Sequence, residues 1–331
     1  MKAILKKTAR PYIWISLIMF ALSFISGCQK PIDPGPPPQT TPEPTALDEP
    51  GSYSVRTFDT GFNNDRGSYG ATIYYPEQAD NTPAIAFSPG LGARKQYYTW
   101  VGNHLASHGY TVLIFTVPMP FTFKTTQHEA GFASAFETLE KENNDPDSPL
   151  YTHLDLSKRA IMGHSLGGAA TIKAAVYMDL SAAVALAPAI NPASSGSNAT
   201  LSDFPIPGET AVKTPLQIHA ANYDCITGDK DAIAFYDALD FSPKQVININ
   251  GGNHVGFNDA SSIANTGGQS FDCSALIDTT DHLQRLSRRY FTAWLDYHLK
   301  QDRNVEAYLF GSSAQQDLTS RLLTKMEFEL D

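Results

Sequence analysis

The chain has 331 residues, 42% of them hydrophobic and 18% charged, with a formal net charge of −10. That is enough apolar material for one well-buried domain and the wrong sign of charge for a nucleic-acid partner. Neither an H-E-x-x-H run nor a C-x-x-C pair is present, so catalysis, if any, is expected to use side chains and backbone amides without metal or cofactor.

Taken in order, residues 1–28 read as an export signal. Lys2, Lys6, Lys7 and Arg10 form a basic start, and Tyr12 to Ile25 an apolar run too short to span a bilayer comfortably. The run closes on Ile25-Ser26-Gly27-Cys28, which resembles the bacterial lipoprotein signal. The resemblance implies lipidation of Cys28, a membrane tether, and an outer-membrane or cell-surface location with the catalytic domain outside the cytoplasm. An ordinary secretory signal or a short anchor is the alternative. Residues 29–50 are proline-rich with almost nothing to bury, which predicts an extended, semi-rigid linker. Residues 51–331 show no further shift in composition and are expected to form a single domain, as a monomer.

Within that domain, strand patterns fall at 52–59, 70–75, 84–88, 111–116, 158–163, 182–187, 216–220 and 245–250. Helix patterns fall at 97–108, 129–143, 166–178, 229–239 and 281–300. The alternation predicts an α/β fold with a mostly parallel central sheet and helices on both faces, its first two strands forming an antiparallel edge. In such sheets the functional site lies beyond the carboxyl ends of the strands.

The stretch Gly163-His164-Ser165-Leu166-Gly167 joins a strand pattern to a helix pattern. This is the setting of a nucleophile elbow, where a sharp turn needs small residues on either side of a strained serine. Ser165 is therefore the candidate nucleophile, and the N–H of Leu166, opening the helix, a candidate oxyanion donor. A second donor is expected from the loop Pro89-Gly90-Leu91-Gly92, with Leu91 favoured because the flanking glycines let its amide turn inward. Asp224 follows a late strand and is the candidate acid. Asp229 and Asp231 are rivals, but they open a helix and read better as cap and dipole partners. His254 follows the next strand behind Gly251-Gly252 and completes the order Ser, Asp, His. The other histidines fall inside helices, in a mid-strand position or ahead of the elbow, and read as structural or solvated. Cys225 and Cys273 are an even pair in an exported context, which predicts a disulfide linking the acid and base loops.

With these residues in place, the chain resembles the bacterial cutinases and polyester (PET) hydrolases of the α/β-hydrolase superfamily. The resemblance rests on SPGLGARKQYYTWVGNHLASHGYTV, SPLYTHLDLSKRAIMGHSLGG, NYDCI, INGGNH and WLDYHLKQDRNVEAYLF. It implies Ser165, Asp224 and His254 as triad, the Leu91 and Leu166 amides as oxyanion hole, and a disulfide near the acid and base. Two departures stand out: polyester-degrading members carry an aromatic at the position of Leu91 and a tryptophan at that of Ala189. Without those two faces the cleft is expected to favour apolar acyl esters over aromatic polyesters. The loop around Leu91 also resembles platelet-activating-factor acetylhydrolases, which implies a phospholipid esterase as the alternative. A non-catalytic lipoprotein binding module on the same fold is the alternative from another class.

Overall fold

The computed structural model describes residues 46–189, 214–239, 243–259 and 280–330. A nine-stranded sheet runs through them: β1 (Val55–Asn64), β2 (Gly67–Pro76), β3 (Thr82–Ser88), β4 (Thr111–Thr116), β5 (Leu154–His164), β6 (Ala182–Leu186), β7 (Leu216–Ala221), β8 (Lys244–Ile249) and β9 (Leu323–Glu329). Its order is β1-β2-β4-β3-β5-β6-β7-β8-β9. The pairs from β4 through β8 are parallel, whereas β1, β2 and β9 join antiparallel at the edges. The expected parallel core and antiparallel first edge are both present.

The central strands are apolar runs because both of their faces are covered. Alternate side chains feed two layers. Ile85, Phe87, Val112, Ile114 and Met162 pack with Trp100, Val101 and Leu105 of helix α1 (Thr99–Ser107) and with Tyr290, Phe291 and Trp294 of helix α5 (Thr280–Leu299). Ala84, Ala86, Leu113, Phe115 and Ile161 pack on the other side with Phe132 of α2 (Thr126–Asn144), Ile172 of α3 (Leu166–Ala175) and Phe235 of α4 (Asp229–Ala238). The period of two in each strand thus divides one sheet between two helical layers.

Two regions differ from the expectation. Beyond α5 the chain forms two short helices, α6 (Glu306–Leu309) and α7 (Ser312–Thr319), and then β9. β9 reads LTKMEFE and is mostly exposed; its charges suit an edge strand that must not pair with a second chain. The other lies at the start of the described residues. Leu47 and Asp48 are buried, the Asp48 carboxylate pairs with Arg289 at 3.2 Å and Arg285 at 3.5 Å, and the Asp48 carbonyl accepts from Arg288 Nε at 2.8 Å. The last residues of the proline-rich stretch therefore belong to the folded body, held by arginines some 240 positions away.

Candidate active site

β5 ends at His164 and α3 begins at Leu166, so Ser165 alone makes the turn. It sits at φ 55° and ψ −117°, a conformation costly for any residue with a Cβ. The turn closes only because its flanks are glycines: a Cβ on Gly163 would lie 2.4 Å from the Gly167 carbonyl oxygen, and one on Gly167 would lie 2.3 Å from that of Ser88. Two backbone bonds lock it, Ser165 N–H to the Leu186 carbonyl and Ala189 N–H to the Ser165 carbonyl, each at 2.9 Å.

β7 and β8 deliver the other two groups. Their pairing continues past the strand ends through Asn222 N–H to Ile249 O at 3.2 Å and Tyr223 N–H to Gly252 O at 3.0 Å. The Asn222 side chain adds a bond from Gly251 N–H at 2.8 Å, so the loops carrying Asp224 and His254 are stitched together. Asn253 Oδ1 accepts from Gly256 N–H at 2.8 Å and turns the chain into the short 3-10 helix Val255–Phe257.

The three candidate side chains meet. His254 Nδ1 lies 2.8 Å from Asp224 Oδ2, and His254 Nε2 lies 2.9 Å from Ser165 Oγ. A carboxylate can only accept, so the proton is on Nδ1 and Nε2 is left as acceptor for the serine hydroxyl. Asp224 is buried, which alone would raise its pKa. The adjacent His254, with Thr227 Oγ1 donating at 2.6 Å and Thr227 N–H at 2.8 Å, outweighs burial and holds the carboxyl well below its ordinary range. The rival Asp229 faces away, accepting from Asn248 Nδ2 at 2.9 Å. It does not cap α4 either, since the N-cap is Gly228.

The glycine loop after β3 backs directly onto the elbow. Gly90 is so close that a Cβ there would meet Ser165 Cβ at 3.0 Å. Gly90 N–H donates to Tyr98 Oη at 2.9 Å and Gly92 N–H to the Pro120 carbonyl at 2.6 Å. Between them, the Leu91 amide has no acceptor among the described residues. The Leu166 amide is the first of α3 and so lies outside the helical ladder.

These residues open onto a cleft of about 930 Å³ whose wall includes Leu91, Phe121, Phe123, Ala189, Cys225 and Val255. Among the described residues no group of three or more His, Cys, Asp or Glu side chains could hold a metal ion. Of the expected cysteines, Cys225 borders the cleft, whereas Cys28 and Cys273 lie outside the described residues.

The profile of the PET hydrolase-like family matches residues 28–322. The chain belongs to that family. Its sheet order and strand directions are those of the α/β-hydrolase fold expected for a PET hydrolase-like protein. The chain is also similar to Cutinase 2 of Thermobifida cellulosilytica, 36% identical over 37% of this chain and 45% of that protein. It is 36% identical to Cutinase cut1 of Thermobifida fusca over 37% of each. A Bis(hydroxyethyl) terephthalate hydrolase of Streptomyces coelicolor is 32% identical over 42% of this chain and 44% of that protein. The chain thus spans less than half the length of these curated relatives.

Sequence reasoning missed several residues at the site of this PET hydrolase-like chain. Thr227 is one: a threonine three positions after the acid carries no motif, though it donates to Asp224 and stands 3.3 Å from His254 Nδ1. Tyr98 is another. Having accepted from Gly90, its hydroxyl is free to donate to His164 Nδ1 at 2.9 Å. Burial, with His254 alongside, holds His164 well below its ordinary pKa and so neutral. Phe121 and Phe123 are the third case; two phenylalanines exposed in the loop PMPFTFK were a readable signal.

Proposed function

We propose that this chain is a serine carboxylic-ester hydrolase acting on apolar acyl esters. One observation carries the reading: the unbroken hydrogen-bond chain from Ser165 through His254 to Asp224, at the mouth of a cleft with apolar walls. Ser165 Oγ attacks the ester carbonyl as His254 Nε2 takes its proton, and Asp224 keeps the imidazole oriented and stabilises its cation. The Leu91 and Leu166 amides receive the charge that develops on the carbonyl oxygen, so they act on the transition state more than on the bound ester. His254 then protonates the leaving alcohol, and water releases the acyl group by the same route. Cutinase and terephthalate-ester hydrolase relatives support an ester as the scissile bond.

Leu91 and Ala189, placed where the sequence comparison expects an aromatic clamp, both border the cleft and favour flexible acyl chains. Export by a lipoprotein signal ending at Cys28, anchoring by that lipid, and a bridge between Cys225 and Cys273 belong to the same proposal. The bridge is supported by Cys225 being a disulfide cysteine; closing the intervening loop would stabilise by about 3–4 kcal/mol.

The test is hydrolysis of p-nitrophenyl esters from acetate to palmitate by the detergent-solubilised full chain, beside Ser165→Ala. The expected result is activity that falls by about a million-fold in the variant. A folded protein inactive on every ester, or a variant that keeps most of its activity, overturns the reading.

A further inference from the structure

Eight large apolar side chains are exposed among the described residues, and four of them, Leu91, Met119, Phe121 and Phe123, belong to the two loops that meet at one rim of the cleft. Scattered apolar exposure is ordinary, whereas a cluster beside a candidate site points to something it covers. Phe121 is 79% exposed, Met119 56% and Phe123 53%.

The segment that presents them is fixed. Gly92 N–H, in the oxyanion loop, donates to the Pro120 carbonyl at 2.6 Å. The buried Gln127 side chain clasps Met119 from both sides, accepting from its N–H at 3.1 Å and donating to its carbonyl at 2.8 Å. Thr122 N–H closes a turn onto the Met119 carbonyl at 3.1 Å, and Pro118 and Pro120 stiffen the approach. Phe121 is laid so close to Gly92 that a Cβ there would come within 2.9 Å of its ring, while φ at Gly92 is +70°. Glycine therefore serves the contact as well as the turn. The anchored backbone thus presents both rings at the cleft beside Leu91, with Phe121 against Gly92, so less ordering is left for a ligand to impose.

We propose that Phe121 and Phe123 are specificity-determining residues, forming with Leu91 the apolar wall that grips the acyl chain of the ester. The proposal rests on the reading of the site as an ester hydrolase and deepens it: the aromatic surface missing at positions 91 and 189 is supplied from the connection between β4 and α2. Longer acyl groups gain contact along this wall and acetate does not, so the wall sets a preference among esters without taking part in bond breaking.

The experiment compares the full chain with the double variant Phe121→Ala/Phe123→Ala. The expected result is a tenfold or greater fall in the ratio of kcat/KM for p-nitrophenyl octanoate to that for acetate, carried mainly by KM. Phe121→Leu/Phe123→Leu, which keeps apolar bulk, recovers most of the ratio. Tyr151→Ala serves as control, an exposed aromatic in the loop before β5 and so at the far end of the sheet. It leaves the ratio where it was.

A second arm needs no turnover. On a Ser165→Ala background, calorimetric binding of p-nitrophenyl octanoate weakens at least tenfold when both phenylalanines are removed. An active enzyme whose selectivity is unchanged by the double variant overturns the wall, as does unchanged octanoate binding, whatever these rings do at other surfaces. A wild-type chain inactive on all esters instead overturns the hydrolase reading, and the binding arm still decides whether the rings hold an acyl chain.

Discussion

At the scale of single residues, the candidate site is held together by groups outside the Ser165, His254 and Asp224 set. Tyr98 is fully buried, and its hydroxyl joins the glycine loop after β3 to the elbow by accepting from Gly90 N–H and pairing with His164 Nδ1, both at 2.9 Å. Burial raises its pKa far above the ordinary tyrosine value, so it remains a neutral donor throughout the working range. Tyr98→Phe keeps the ring and removes the bridge, leaving a buried amide and a buried imidazole nitrogen without their partner. Such orphaned groups cost about 1–3 kcal/mol, and here one of them flanks the Leu91 amide. With the Leu91 amide in the proposed oxyanion role, the expected outcome is a lower urea midpoint together with a fall in kcat larger than any change in KM, because a misaligned oxyanion donor weakens the transition state selectively. If kcat is preserved while stability falls, the bridge supports the fold and not the proposed oxyanion role of the glycine loop.

At the scale of elements, what the sequence made legible was what local pattern carries. The parallel strands are short apolar runs, the elbow is announced by its glycines, and the candidate acid and base follow late strands in the expected order. What escaped depends on partners far away in the chain. β9 makes sense as a strand only beside β8, to which it pairs from Lys244↔Glu329 to Ile249↔Leu323. Asp48 is one acid in a proline-rich run until α5 brings Arg285 and Arg289 to it. Arg289 also holds Asp317 of α7 through two bonds at 3.1 and 2.8 Å, and Tyr290 Oη donates to the same carboxylate at 2.7 Å. One helix thus pins segments from both ends of the domain. Asp48→Ala is expected to lower unfolding free energy by about 1–3 kcal/mol, since it strips a mostly buried carboxylate from two arginines, and to leave kcat unaltered. Urea unfolding of the full chain checks this; an unchanged midpoint would return Asp48 to the linker.

At the scale of the whole molecule, buried histidines couple stability to acid. Burial lowers His128 and His219 to about 3 and His298 to about 4, from an ordinary 6.5. His104 and His164 are held well below the ordinary value, by burial first and by neighbouring charges second. Each is neutral in the fold and takes up a proton on unfolding once the pH drops below about 6.5. The unfolded chain then binds more protons than the native one, so native stability falls with decreasing pH, by up to about 1.4 kcal/mol per pH unit for each such histidine. The contribution is present in full above pH 6.5 and is lost as the pH falls towards the native values. Asp224 does not act in this window: its pKa is depressed below the ordinary 3.8, so its share is lost only at more acid pH. Urea unfolding at a series of pH values should therefore give a plateau above about pH 7 and a fall of several kcal/mol by pH 5, before most carboxylates titrate. A plateau extending to pH 4.5 would mean that these rings are protonated in the native state, which their apolar surroundings oppose. The same neutral set includes His164, 4.7 Å from the His254 ring, so acid would disturb the packing behind the candidate base in the range where it begins to unfold the domain.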